Sequence, residues 1–303
     1  MGEGRVAEAH DTDGAPTTVV GVIGLGDIGD GVATSLLAAG FPVVVCDLRT
    51  EVTDRYRDRA TVADSPADLA RRCEVFVVAV VNDAQVHAVL SGPEGALAAA
   101  GEGSSCIVVS TITAPCVAAI GAEATAVGVE LVDCGVSGGP SSAATGELIC
   151  MVGGEADTID RVRPVLDAIG SLTVRMGPFG AGLTAKLARN LIQYGSWLAA
   201  YEGQVLAEAA GIPLAKLAQV VKASDARIGG ASTLMFRSTV TPFTDTDDRG
   251  LVSAMEAAAG LAHKDLQAAL QAAGTLGVEL PLASMTESRA DAIFGVGRDP
   301  RAT

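Results

Sequence analysis

Seven short runs, almost wholly apolar and rich in β-branched residues, recur through the first 176 residues: 19–23, 43–46, 75–81, 107–109, 129–132, 148–152 and 172–174. They do not alternate apolar with polar, so as strands they must be covered on both faces. The Ala-rich stretches between them have helical spacing and supply that cover. Strands separated by helices imply βαβ units and a parallel, doubly wound sheet. A weaker strand near residues 61–63 precedes a helix capped at Ser65 with Pro66 in its first position.

After Gly182 the β-rich runs stop. Residues 183–210 contain no proline and read as one long helix, ended by Gly211, with Pro213 opening the next. Further helical stretches are 213–223, 251–273 (interrupted at Gly260) and 281–293. Residues 241–250 are polar and read as a loop. The expected class is α/β, with a Rossmann-type doubly wound sheet followed by an all-α C-terminal domain. The expected division is a disordered tail over 1–17, a Rossmann-type domain over 18–178, and an all-helical domain over 179–303 that begins with the long helix. The residues from Gly295 onward are expected to fray.

The first strand runs straight into Gly24-Leu25-Gly26-Asp27-Ile28-Gly29, a GxGxxG turn that opens a helix. Gly24 suits the tight turn, Gly26 lets a pyrophosphate approach the backbone, and Gly29 lets helix and strand pack closely. The helix N-terminus then meets the phosphates with its N–H groups. The second strand ends at Asp47, 18 residues after Gly29, where an acid accepts from the adenosine ribose hydroxyls. An acid there favours NAD over NADP, because a 2′-phosphate would meet a carboxylate. Arg49, two residues on, reads either as a solvated loop charge or as a phosphate ligand, which keeps NADP open.

With 21 Lys+Arg against 36 Asp+Glu, the chain carries a net charge of −15. That argues against non-specific nucleic-acid binding and against an anionic membrane surface. The six cysteines form no CxxC and have no histidine at metal spacing. They read as small buried hydrophobes of a reducing compartment, and no metal site is expected. With no apolar run of membrane length and no secretion signal at the N-terminus, the protein is expected in the cytoplasm.

Further motifs follow in order. Ser110-Thr111 comes after the fourth long run. Asp133-Cys134-Gly135-Val136-Ser137-Gly138-Gly139 is followed by Gly146 and Leu148. Then come Gly180-Ala181-Gly182 with Lys186 and Asn190, and finally Lys264-Asp265-Leu266. With the glycine turn, this series resembles the β-hydroxyacid dehydrogenase family, of which 3-hydroxyisobutyrate dehydrogenase is the best-known member. It spans roughly residues 19 to 266.

The resemblance implies hydride transfer between NAD(P) and the hydroxyl carbon of a small β-hydroxy acid. It implies that Lys186 is the catalytic acid/base and that Asn190, one turn along the same helix face, orients amine and substrate. The role needs a lysine of lowered pKa, which desolvation, the helix N-terminus and nearby cations would favour. Ser137, Gly138 and Gly139 would hold the substrate carboxylate. Val80, Val81, Thr111 and Lys264 match cofactor-contacting positions. The family also implies a homodimer or homotetramer through the helical domain, as do apolar Leu183, Leu187, Leu191 and Trp197 on the long helix.

Four positions depart from the family pattern. Arg189 replaces the first of two asparagines, Pro115 comes one residue late, Pro140-Ser141-Ser142 follows the glycine pair, and Glu147 stands where threonine is common. The segment Val80-Val81-Asn82-Asp83-Ala84-Gln85 looks like that of the threonate-type sugar-acid dehydrogenases of this family. An imine reductase of the same architecture and a non-catalytic dinucleotide-binding module are the alternatives. The lysine and the Ser-Gly-Gly turn favour the dehydrogenase.

Overall fold

The computed structural model describes residues 16–297, apart from 235, 236 and 238. Residues 1–15 and 298–303, which hold most of the expected tail and the far C-terminus, lie outside them. The chain divides into two compact units, Met1–Ala188 and Arg189–Thr303.

The first unit is built on eight strands: β1 Val20–Ile23, β2 Val43–Cys46, β3 Thr61–Val62, β4 Val75–Val78, β5 Ser105–Val108, β6 Glu130–Ser137, β7 Leu148–Gly153 and β8 Gly170–Gly177. They form one sheet in the order β3-β2-β1-β4-β5-β6-β7-β8. Every pairing is parallel except β6 with β7. Its helices are α1 Asp27–Ala38, α2 Thr50–Thr53, α3 Pro66–Arg71, α4 Asp83–Leu90, α5 Ala96–Ala99, α6 Ala114–Ala126, α7 Gly139–Ala144 and α8 Ala156–Ile169.

Both faces of the sheet are buried along β1, β2, β4 and β5, as the unbroken apolar runs require. The run at 172–174 departs from that expectation: β8 is an edge strand and leaves Leu172, Val174 and Met176 exposed. Alternate strand residues go to opposite sides. Val20, Val22, Val75 and Val77 pack with Val32 and Leu36 of α1 and Val162 and Leu166 of α8. Ile23, Phe76, Val78 and Val108 pack with Leu69, Leu90 and Ile120 on the other face. Helices are drawn onto each face because neither can be left to water. The cap expected at Ser65 is present, its side chain accepting from Asp68 N.

Several boundaries differ from expectation. The third run ends as a strand at Val78, so Val80 and Val81 lie beyond it in a turn. There the Val80 N–H donates to Ser110 Oγ at 2.9 Å. The strand expected to stop near residue 132 continues to Ser137, because antiparallel pairing to β7 carries it through Ser137↔Ile149.

The long helix α9, Ala181–Ala209, begins in the first unit and ends in the second. The second unit continues with α10 Leu214–Ile228, α11 Arg249–Leu276, α12 Pro281–Ser288 and α13 Ala290–Phe294. Gly260 does not interrupt α11, and the expected helix over 281–293 is two helices. Both α12 and α13 pack on α11. Gly295 is buried rather than frayed: its backbone adopts φ +73 as the left-handed cap of α13, and its carbonyl accepts the Phe243 N–H at 2.8 Å. No helix among the described residues is long and apolar enough to cross a membrane.

Candidate active site

The glycine turn has the shape its sequence implies. Gly24 sits at φ +90, and a Cβ there would meet the Ala79 carbonyl oxygen at 2.7 Å. A Cβ on Gly29 would collide with the Gly24 carbonyl. Gly26 is different: nothing lies within 4 Å of a Cβ placed on it. The open side of the turn is therefore at Gly26, the residue expected to admit a pyrophosphate.

Asp47 closes this turn from β2. Its Oδ2 accepts the Leu25 N–H at 2.7 Å, and its Oδ1 accepts Arg49 N and Nε, each at 2.9 Å. Burial works against the charge, but the Arg49 guanidinium and the Leu25 amide win and hold the Asp47 carboxyl at about 2. Arg49 is thus the ion partner of Asp47 in this structure.

Two cavities flank the turn and share Gly26 and Asp27. One, of about 310 Å³, is also lined by Leu25, Arg49, Arg55 and Pro140. The other, of about 260 Å³, is also lined by Ile28, Val80, Val81, Thr111, Val136 and Lys186. The structure therefore brings the glycine turn, Val80, Val81, Thr111 and Lys186 together around one space, although 160 residues separate Gly26 from Lys186.

Lys186 reaches this space from α9, half-buried over β6. A Cβ on Gly135 would lie 2.6 Å from the Lys186 Cβ, so the glycine lets helix and strand touch. Burial pulls the Lys186 ammonium below the ordinary lysine range, with the nearby Cys134 thiol pulling the other way. Desolvation thus supplies the shift expected of this lysine, without a cationic neighbour.

Ser137 ends β6 at the sheet margin, and Gly138 and Gly139 follow at φ +130 and +73. They open α7, whose Ala143 packs where Gly31 of α1 leaves room. Their neighbours Val136 and Pro140 line the two cavities. Asn190 and Lys264 belong to the second unit. There Arg189 donates to Gln193 Oε1 at 3.0 Å and to Asn190 Oδ1 at 3.4 Å. Lys264 is exposed, 3.4 Å from Asp265.

Two residues of the quoted motifs have structural parts that the sequence reading did not assign to them. Ser110, buried, accepts from Val80 N and donates to Val78 O at 3.3 Å, so it fixes the turn that holds Val80. Asp133, fully buried, accepts two backbone N–H groups at the start of α9. Neither pairing has a local spacing from which it could be read. The threonate-like segment has a structural basis too. Asn82 accepts from Gln85 N at 3.0 Å, and Gln85 Oε1 accepts from Val81 N at 2.8 Å, a reciprocal cap for α4.

Comparison with known proteins agrees with this geometry. Residues 19–177 match the family model for the NAD-binding domain of 6-phosphogluconate dehydrogenase. Residues 180–299 match the model for the NAD-binding of NADP-dependent 3-hydroxyisobutyrate dehydrogenase. The chain is 36% identical over 281 residues to an uncharacterized oxidoreductase of Mycobacterium tuberculosis, covering 92% of this chain and 94% of that one. It is 31% identical over 268 residues to the L-threonate dehydrogenase of Escherichia coli K12, covering 88% and 85%. The crystal structure of an oxidoreductase from Mycobacterium avium 104 superposes with a TM-score of 0.83 at 34% identity, covering 92% of this chain and 99% of that one. An imine reductase from Myxococcus stipitatus, at 18% identity and TM-score 0.74, shares the fold. The chain belongs to the β-hydroxyacid dehydrogenase family of NAD(P)-dependent oxidoreductases.

Proposed function

We propose that the protein oxidises a small β-hydroxy acid, or reduces the matching semialdehyde, with Lys186 as the acid/base. The observation that carries this is the pair of cavities meeting at Gly26 and Asp27, with Arg49 on one side and Lys186 on the other. A dinucleotide with its pyrophosphate at Gly26 has room for its two ends on either side. When bound, NAD(P) supplies the acceptor or donor of the hydride. The chain's own residues do the rest. The unprotonated Lys186 amine takes the hydroxyl proton as the carbonyl forms, and the ammonium returns it in reduction. Asn190, one helical turn on, orients the hydroxyl. Ser137, Gly138 and Gly139 hold the carboxylate with hydroxyl and backbone donors, which lets an acidic protein take an acid. The glycine turn from Gly24 to Gly29, with Asp47, Val80, Val81 and Thr111, makes up the cofactor site, and Lys264 is assigned to the cofactor by the family resemblance alone.

NAD is the preferred cofactor in this reading, because a carboxyl held at about 2 stays ionised where a 2′-phosphate would sit. Michaelis constants for both cofactors test this, and a strong NADP preference defeats it. The functional domains are 18–178 for the nucleotide and 179–303 for substrate and assembly, a division supported by the spans of the two family models. The helical domain forms the homodimer or homotetramer interface, supported by the exposed Leu191, Tyr194, Trp197 and Tyr201 of α9. Six buried, unpaired cysteines fit the reducing cytoplasm.

The decisive experiment is Lys186→Ala, assayed with NAD across hydroxyisobutyrate, glycerate, threonate, hydroxybutyrate and serine. The kcat should fall roughly 10²–10⁴-fold while NADH binding stays nearly intact. Undiminished turnover would remove Lys186 from the reaction.

A further inference from the structure

Asp133 and Glu202 are the buried charged side chains among the described residues, and Asp133 has no exposed surface at all. Its Oδ1 accepts the Gly180 N–H and its Oδ2 accepts the Leu183 N–H, both at 2.6 Å. These donors open α9. The first N–H groups of a helix have no partner within it, and a local Ser, Thr, Asp or Asn side chain commonly supplies one. Gly180 has no side chain, so the acceptor comes from β6, 47 residues back in the chain. Glycines make the space for it. A Cβ on Gly182 would lie 2.9 Å from Oδ2, and one on Gly153 would lie against Oδ1.

Two residues further along the same face of β6, Gly135 lies under Lys186. A strand advances about 6.6 Å in two residues and a helix about 6 Å in four. The contacts Asp133–Gly182 and Gly135–Lys186 are therefore in step between strand and helix. The second is a van der Waals contact and tolerates sliding. The first carries two short, charge-assisted hydrogen bonds and does not. The carboxylate thus sets where the first turn of α9 sits, and with it the turn that carries Lys186.

We infer that Asp133 is a positioning residue for the Lys186 amine, locking the start of α9 to β6 so that the lysine faces the cavity it shares with Gly26 and Thr111. This rests on the reading of Lys186 as the acid/base. Asp133 does not line that cavity. Each of its oxygens already accepts from a backbone N–H, so it takes no part in proton transfer itself.

The test is Asp133→Asn, which keeps the size but leaves one N–H facing an amide NH2. The substrate is whichever of the five acids turns over fastest, deuterated at its carbinol carbon. The kcat should fall roughly 10–100-fold, the cost of a misplaced catalytic group. NADH affinity should change less than twofold, and the primary isotope effect on kcat should rise as the chemical step becomes rate-limiting. A variant that merely loses folded protein lowers kcat in proportion to its NADH-binding stoichiometry and keeps the wild-type isotope effect. That outcome overturns the proposal.

Should Asp133→Asn fail to fold, Gly182→Ala presses a methyl on the Met151 and Asp133 carbonyl oxygens and on Asp133 Oδ2, shifting the start of α9 from β6 and β7, and the same rise in isotope effect is expected. Hydrogen exchange of the wild-type protein needs no variant. The Gly180 and Leu183 amides should be protected like helix-interior amides, and exchange at the rate of an open helix end sinks the lock outright. Retained turnover in Lys186→Ala defeats the acid/base reading and leaves the exchange result standing. An inactive Lys186→Ala beside an unchanged isotope effect in Asp133→Asn defeats only the lock.

Discussion

The two units solve the same problem of helix ends alike and the problem of a core differently. In the first, α9 begins on the carboxylate of Asp133. In the second, α12 begins on Glu202, whose Oε1 and Oε2 accept the Leu282 and Ala283 N–H groups at 2.7 and 2.9 Å. Both carboxylates are buried and both replace an absent local cap. The cores diverge. The first unit buries Leu36, Phe76, Ile107, Ile120 and Leu166 completely. Beyond alanines, the second buries only Leu280 among its described hydrophobics, while Leu191 is 75% and Trp197 59% exposed. The central strands of the sheet are covered on both faces by the first unit's own helices. Helices that bury alanines and display leucine and tryptophan leave an apolar face open.

The contrast can be broken by truncation. Phe76→Ala should cost about 3–5 kcal/mol in chemical denaturation, whereas Leu191→Ala should cost less than about 0.5 kcal/mol in a monomer. A larger, concentration-dependent loss for Leu191→Ala would show the apolar face covered by a second copy. Next in size, Glu202→Ala leaves two donors without their acceptor. It should cost roughly 2–3 kcal/mol and speed hydrogen exchange at residues 282 and 283 ahead of the sheet. Asn82→Ala removes an exposed local cap and should cost about 1 kcal/mol, read as a small drop in Tm. A loss equal to that of Glu202→Ala would erase the distinction between local and distant caps.

The smallest effects are electrostatic. His263 Nδ1 lies 3.1 Å from Glu287 and its Nε2 lies 3.1 Å from Asp291. The two carboxylates raise its pKa above 6.5, Glu287 most. A raised value means stabilisation that is full below 6.5 and is lost as pH rises through the folded value. The Tm difference between wild type and His263→Asn should shrink over that range. Asp47 has the opposite sign. Its lowered value stabilises above the ordinary 3.8, and that contribution disappears as pH falls through about 2. Arg49→Ala should move the acid loss to higher pH.

Much of the architecture is legible locally. The unbroken Val-rich runs, the glycine turn and the Ser65 cap announce themselves within a few residues, because strand burial on both faces, positive φ and capping are short-range demands. Lys186 is legible from its motif. What escapes is contact between distant segments. Val80 leaves the strand because Ser110, 30 residues on, takes its N–H. The strand through Ser137 is extended by an antiparallel neighbour that no βαβ rule anticipates. Burial, one of the causes expected for the lysine's shift, is the one that acts, and it is supplied by packing of α9 on β6 rather than by a neighbouring cation.

By itself, the order of residues determined that the chain would wrap helices around a strand-rich sheet and end in helices, and that a glycine-lined turn would open the first of them. Those are consequences of apolar periodicity and backbone sterics, which act over a few residues. Only the tertiary structure decided that Asp133 and Glu202 would give up water to hold helix ends 47 and 80 residues away. A buried carboxylate persists only where packing delivers donors to it, and no stretch of sequence carries that delivery.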